Sequence, residues 1–129
     1  MNSTTLTQRN KQRVAQYDAQ VWNEKNLPAL PEFIAVDYIQ HNPKFGNGRA
    51  ALQAFLGGLF EALPQGRFEI ARLVAEDDLV VAHTLFRAQP GDRGTAVADV
   101  YRLRDGELVE HWDVKEEVPE TSVNSNTMV

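Results

Sequence analysis

The run AVADVYRLRDGELVEHWDV, residues 96 to 114, decides how the chain is read. Two stretches rich in β-branched, aromatic and aliphatic residues flank Arg104-Asp105-Gly106, and an Asp-Gly between such stretches is the strongest short-range signal for a β-hairpin. Asp99, His111 and Asp113 stand inside the strands, where folding normally places apolar side chains. The turn decides which of them meet. A two-residue Asp105-Gly106 turn pairs Arg104 with Glu107 and sets Asp99 beside Trp112. A three-residue turn with a glycine bulge pairs Leu103 with Glu107 and turns Asp99 toward His111. Side chains alternate with a period of two, so the one-residue difference flips one strand's faces against the other's. The three-residue turn is the preferred reading. It gathers Asp99, Tyr101, Leu103, Val109, His111 and Asp113 on one face and leaves Arg102 and Glu110 together on the other, the outer face that also carries Val100, Leu108 and Trp112.

Upstream of the hairpin the pattern is strand again: Phe68 to Ala75 and Leu79 to Ala88 flank the acidic turn Glu76-Asp77-Asp78, and residues 89 to 94 form a loop. Before these come helices. Val14, Tyr17, Val21 and Trp22 recur at three- and four-residue steps over a helix near residues 8 to 24, with Thr5 or Thr7 as its N-cap. Asn26-Leu27-Pro28 ends it, and Pro31 opens a short second helix through Glu32-Phe33-Ile34. Tyr38 to Pro43 is extended and leads into a glycine-rich loop. The clearest helix follows, Arg49 to Leu63, with Leu52, Phe55, Leu56 and Leu59 on one apolar face. Gly57-Gly58 in its middle costs roughly 1 kcal/mol per glycine relative to alanine, which points to close packing there. Residues 1 to 6 and 120 to 129 are polar, patternless tails, the second a tail or an arm over a neighbouring subunit.

Helices first and an antiparallel meander afterwards make an α+β domain, with helices covering one face of a curved sheet to form a cone with an inner pocket. At 129 residues the chain is the size of one domain. A formal net charge of −5 with no basic cluster argues against nucleic acid as a partner. The absence of cysteine excludes disulfides and thiol chemistry. No segment has the ~20 apolar residues of a membrane span, and the polar N-terminus is no signal peptide, so no membrane partner and a cytoplasmic location are expected.

The combination of Tyr38-Ile39-Gln40-His41-Asn42-Pro43, a glycine-led amphipathic helix, Ala98-Asp99-Val100-Tyr101-Arg102 and the run Asp105 to Asp113 resembles the SnoaL-like polyketide cyclase family. The likeness is strongest to its predicted aldol-condensation enzymes, which share the nuclear transport factor two-like fold. It spans about residues 8 to 118. It implies a cystatin-like cone, a homodimer through the outer face of the sheet, and a cofactor-free pocket in which an aspartate acts as base. By position in the last hairpin, Asp113 resembles that base, and Asp99 stands where the cyclases carry a histidine.

The expected chemistry is acid/base catalysis on a small, largely apolar carbonyl compound, an aldol-type cyclisation or isomerisation. Removing a proton next to a carbonyl needs a base near that carbon and donors at the oxygen where charge accumulates. Asp113 is the expected base, His111 and His41 are the donors, and Asp99 orients His111 or shares a proton with Asp113. Tyr38, Tyr101, Trp112 and His83 are the candidate substrate-binding groups, with His83 turned inward on the face of Val81 and Leu85. Core packing is the plainer reading for Trp112, Tyr101 and His83. A metal at His111-x-Asp113 with His41 or His83 is given little weight, because the spacing matches no zinc motif, and no cofactor is expected. The alternatives are a binding protein that uses the same pocket without chemistry, and an interaction domain with a vestigial pocket.

Overall fold

The computed structural model describes residues 4–129. The expected frayed segment over residues 1 to 6 falls in part on residues 1 to 3, which lie outside the described residues. Against that expectation, Leu6 already opens the first helix, α1 (Leu6–Tyr17). Thr5 caps it. The Thr5 hydroxyl accepts the Gln8 backbone N–H at 3.2 Å and the Gln8 side chain accepts that of Thr5 at 3.0 Å, so two otherwise orphaned donors are satisfied reciprocally.

The helix does not run on in α form to residue 24. It widens into a π-helical segment over Asp18–Asn23, and a 3₁₀ helix follows at Leu27–Glu32. Pro31 therefore sits inside a helix instead of opening one, while Pro28 occupies the first turn, where a missing N–H costs nothing. Strand β1 (Ile34–Gln40) comes next, then α2 (Arg49–Ala62). The remaining strands are β2 (Arg67–Glu76), β3 (Leu79–Arg87), β4 (Thr95–Arg104) and β5 (Glu107–Glu117). No helix or strand is formed after Glu117.

The five strands form one sheet in the order β1-β5-β4-β3-β2. Four of them make the expected antiparallel meander, while β1 joins the edge of β5 in parallel, bonding through His41 N to the His111 carbonyl at 2.9 Å. The helices lie over one face. Val14, Val21, Leu30 and Leu56 from the helical layer meet Val80, Ala82 and Leu108 from the sheet, all fully buried or nearly so. The architecture is thus α+β, helices on a curved and mostly antiparallel sheet.

The hairpin turn corrects the preferred reading. Asp105 (φ 51°) and Gly106 (φ 82°) are both left-handed, as a two-residue type I′ turn requires, and Arg104 pairs with Glu107. One strand step later Val109 is accommodated as a bulge between the pairs Leu103–Leu108 and Arg102–Glu110. The extra residue restores the faces that the three-residue turn implied, but every partner beyond it is shifted. Asp99 stands opposite Asp113, and Tyr101 opposite His111. Leu108, expected on the outer face, precedes the bulge and is fully buried.

The α2 glycines also depart from expectation. A Cβ on Gly57 would meet Leu27 only at 3.8 Å, and one on Gly58 would meet nothing within 4 Å, so packing demands neither glycine.

Candidate active site

Alternation along three strands aims polar side chains into one cavity of about 370 Å³ between sheet and helices. On β4 and β5 the inward rows are Tyr101–His111, Asp99–Asp113 and Val97–Lys115. On β1 and the residues just after it, Tyr38, Gln40 and Asn42 face inward. Ala82 flanks Asp99 on the β3 side, and its small side chain adds no bulk beside the carboxyl.

The two facing carboxyls are held differently. Both oxygens of Asp113 accept from the Asn42 side-chain amide, at 2.9 and 3.0 Å. The Asn42 amide cannot be turned round, because its oxygen accepts the Lys44 backbone N–H at 2.9 Å. Asp99 instead lies 2.8 Å from His111 Nε2. Burial pushes the Asp99 carboxyl up, the bond and charge of His111 pull it back, and the nearby Asp113 raises it again.

The proton on His111 follows from the bonding network. The Gln40 Oε1 atom accepts the Asn42 backbone N–H at 3.1 Å, so that atom is the oxygen. The same oxygen lies 2.8 Å from His111 Nδ1, which must therefore carry a proton to give. One further proton lies between Nε2 and Asp99. The pair is an imidazolium with a carboxylate, or a neutral imidazole with a carboxylic acid. Around it, burial holds the phenols of Tyr17, Tyr38 and Tyr101 well above their usual range, with the nearby Asp99 and Asp18 adding to the rise and the Trp22 indole pulling Tyr17 part of the way back, so all three keep their hydroxyl protons.

Asp99, His111 and Asp113 can each bring one ligand atom within 4.8 Å of the others, enough to surround a metal ion. Binding one would compete with the Asn42, Gln40 and Asp99 contacts that now occupy both Asp113 oxygens and both His111 nitrogens.

Four of the eight sequence candidates face the cavity from the β4–β5 hairpin, Asp99, Tyr101, His111 and Asp113, and a fifth, Tyr38, faces it from β1. The other three do not. His41 points outward, bonds Glu110 at 2.7 Å and stacks on Trp112 with ring centroids 4.7 Å apart. Trp112 is on the same outer face, where Arg102 lies over its ring. His83 does not turn inward either. Val80, Ala82 and Thr84 take the buried positions of β3, and His83 meets Arg72 on the outside.

Asn42, Gln40 and Asp18 were missed. Gln40 and Asn42 lie two and four residues after Tyr38 and keep step with it, a period-two signal that was available. Asp18 lies four residues after Val14, inside the apolar stripe of the first helix, which is where an unpaired carboxyl is least expected.

A family model described as a SnoaL-like domain matches residues 14–111. Among curated proteins, no sequence matches. Solved structures with a similar fold include a candidate polyketide cyclase from Acidithiobacillus ferrooxidans, 24% identical, with TM-score 0.72 over 88% of this chain and 92% of that one. A candidate SnoaL-like polyketide cyclase from Jannaschia sp. is 18% identical, with TM-score 0.73 over 90% and 91% of the two chains. A candidate ketosteroid isomerase from Kribbella flavida is also 18% identical, with TM-score 0.73 over 98% and 92%. At these identities the likeness speaks for the fold alone.

Proposed function

Because the chain belongs to the SnoaL-like domain family, we propose that its cavity removes a proton from carbon next to a carbonyl in a small, largely apolar compound, with Asp113 as the base. One observation carries this reading: two carboxyls face each other across adjacent strands in environments that set them different tasks. Asp113, with both oxygens kept as acceptors by Asn42, is the group free to receive a proton. Asp99 and His111 share a proton and can return one. The hydroxyls of Tyr38 and Tyr101 and the Asp99–His111 proton are the donors for the enolate oxygen. His41, turned to the outer face, has no part in the scheme. Gln40 and Asn42 act as positioning residues, the first fixing the His111 tautomer and the second the rotamer of Asp113.

The aldol-type cyclisation or isomerisation begins with this step. Its stabilisation is assigned to side chains, with no metal or organic cofactor. The apolar lining from Phe45, Phe55 and Leu59 suits a hydrophobic substrate and excludes water from the enolate.

The test is exchange of the α protons of phenylacetone for deuterium, followed by NMR. Wild type is expected to accelerate exchange over buffer, and Asp113→Asn to slow it by about 100-fold or more, the range for loss of a general base. Equal exchange in both proteins would remove Asp113 from the role. Binding without exchange in wild type would make the domain a binding protein. We further infer that the chain works as a homodimer through the outer face of its sheet.

A further inference from the structure

The wall of the cavity facing the strand carboxyls is the segment where α1 widens into its π turns, a distortion often found at functional sites. Asp18 opens that segment and lines the cavity, with 4% of its surface exposed. Among the described residues its carboxyl makes no hydrogen bond and no ion pair. It stands in an otherwise apolar helical stripe, where packing gives a carboxyl no task. A buried carboxyl is normally paired, and one left open to a cavity is a contact that lacks its partner.

The surroundings say what that partner is. Asp18 shares the cavity with two further buried or half-buried carboxyls, Asp99 on β4 and Asp113 on β5. The phenols of Tyr17, Tyr38 and Tyr101 stand among them and keep their protons. No cation is fixed against Asp18. His111 is engaged with Asp99 and Gln40, and Lys115, the one lysine that lines the cavity, is exposed, as is Glu117 beside it on the same face of β5. From α2, β2 and β3 the lining receives apolar side chains alone. Carboxyls and aromatic rings around an apolar space, with no positive charge set against them, suit an organic cation: a carboxylate pairs with its charge, and the negative faces of the rings attract it.

We propose that Asp18 is the counter-ion for an ammonium group, so that the compound processed in the cavity is an apolar amino ketone. Its ketone lies toward Asp113 and its amine toward the helix wall. The ketone part rests on the reading of Asp113 as base, whereas the ammonium subsite stands or falls without it. Burial, with the charge of Asp99 adding to it, pushes the Asp18 carboxyl up to about 8, so the empty cavity holds a proton there at neutral pH. An arriving ammonium takes that proton's place. The carboxyl ionises and its proton leaves to solvent, while the amine, with an ordinary value of about 10, stays charged. Affinity for the cation therefore rises with pH until about 8 and levels off above it.

Phenethylamine and 2-phenylethanol differ only in carrying an ammonium or a hydroxyl, and calorimetry measures the binding of both. At pH 8 wild type is expected to bind phenethylamine about tenfold or more tightly than 2-phenylethanol, and Asp18→Asn to bind the two alike. Asn keeps the shape of Asp, and 2-phenylethanol, bound by both proteins, reports an intact cavity. From pH 6 to pH 7 the affinity of wild type for phenethylamine is expected to rise about tenfold, with about one proton released per amine bound at pH 7, read from the enthalpies in buffers of different ionisation heat. A carboxyl that served only the fold would give neither signal, and Asp18→Asn is expected to lose both. Phenylacetone is expected to compete with phenethylamine, which puts the amine in this cavity. Equal affinity of wild type for the two compounds, unchanged amine binding in Asp18→Asn, or binding without competition overturns the subsite. So does a loss of amine binding in Asp113→Asn alone, which would seat the cation on the base. If Asp113→Asn exchanges phenylacetone protons as fast as wild type while Asp18→Asn loses the amine, the base reading fails and the ammonium subsite stands.

Discussion

Two buried aspartates, Asp18 and Asp99, are both raised by loss of water, yet only Asp99 has a base within reach to share its proton. The difference has a consequence for stability. The Asp18 carboxyl goes from an ordinary 3.8 to about 8 in the folded chain, so the fold favours its protonated form. Below the ordinary value both folded and unfolded chains hold the proton, and nothing is lost. Between 3.8 and about 8 the unfolded chain has released it and the folded chain has not, so stability falls as pH rises, by about 1.4 kcal/mol per pH unit across the window. Above about 8 the loss is complete. Asp18→Asn cannot ionise and escapes it. Its melting temperature is expected to exceed that of wild type by an increment that grows from pH 5 to pH 8. Thermal unfolding at a series of pH values measures this, and an increment independent of pH would show that Asp18 ionises in the fold as readily as in the unfolded chain. A cavity that keeps such a carboxyl sacrifices stability at the position, as sites selected for chemistry commonly do.

At the scale of single elements, α2 carries two glycines that its packing does not use. The open space around Gly58 means that alanine there adds no clash while restricting the unfolded chain. Gly58→Ala is expected to stabilise the protein by roughly 0.5–1 kcal/mol, read from urea unfolding, with no change in ketone exchange because the position faces away from the cavity. A destabilised variant would mean that α2 must flex. The strands teach a different lesson about legibility. The inward set of the last hairpin could be read in advance because parity is all that it requires, and two departures, the shorter turn and the bulge at Val109, cancelled in parity. Direct partners could not be read, since a bulge leaves no mark in composition. On β1 the same rule was legible but unused: Tyr38 and His41 are three apart, so a strand that turns one inward turns the other out, and it is Asn42 that follows Tyr38. His83 failed for want of a reference. Its strand is apolar at nearly every position, and an alternating pattern cannot show which face is inner when both are apolar. The carboxyl of Asp18 was hidden by the strength of the helical stripe around it.

At the scale of the whole molecule, the sheet has one face under the helices and another that the chain leaves open. Register brings Val74, Val81, Val100 and Trp112 into a single row across β2, β3, β4 and β5 on that open face. Val74 is 58% exposed, and Val114 in the next row is 72% exposed, as is Val36 on β1 at 69%. Beside the apolar row stand charges that are already satisfied within the chain. Arg102 bonds Asp78 and Glu110, and Glu110 also accepts from or pairs with His41, so this rim neither repels a second copy nor calls for a charged partner. A contiguous apolar strip rimmed by polar groups marks an association surface, and the twofold symmetry of a homodimer lets one strip cover its own copy. The chain is therefore expected to sediment at micromolar concentration with twice the mass of one copy. A lysine at Val74 or Val100 would set like charges against each other across the twofold axis while leaving the inner face untouched. Val100→Lys is expected to shift the molecule to monomer with its circular dichroism unchanged. If ketone exchange persists in that monomer, each cavity is complete within one chain, as the placement of Asp99 on β4, His111 and Asp113 on β5 and Asn42 just after β1 of the same copy requires. A wild-type monomer at these concentrations would leave the apolar row without an occupant and overturn the dimer.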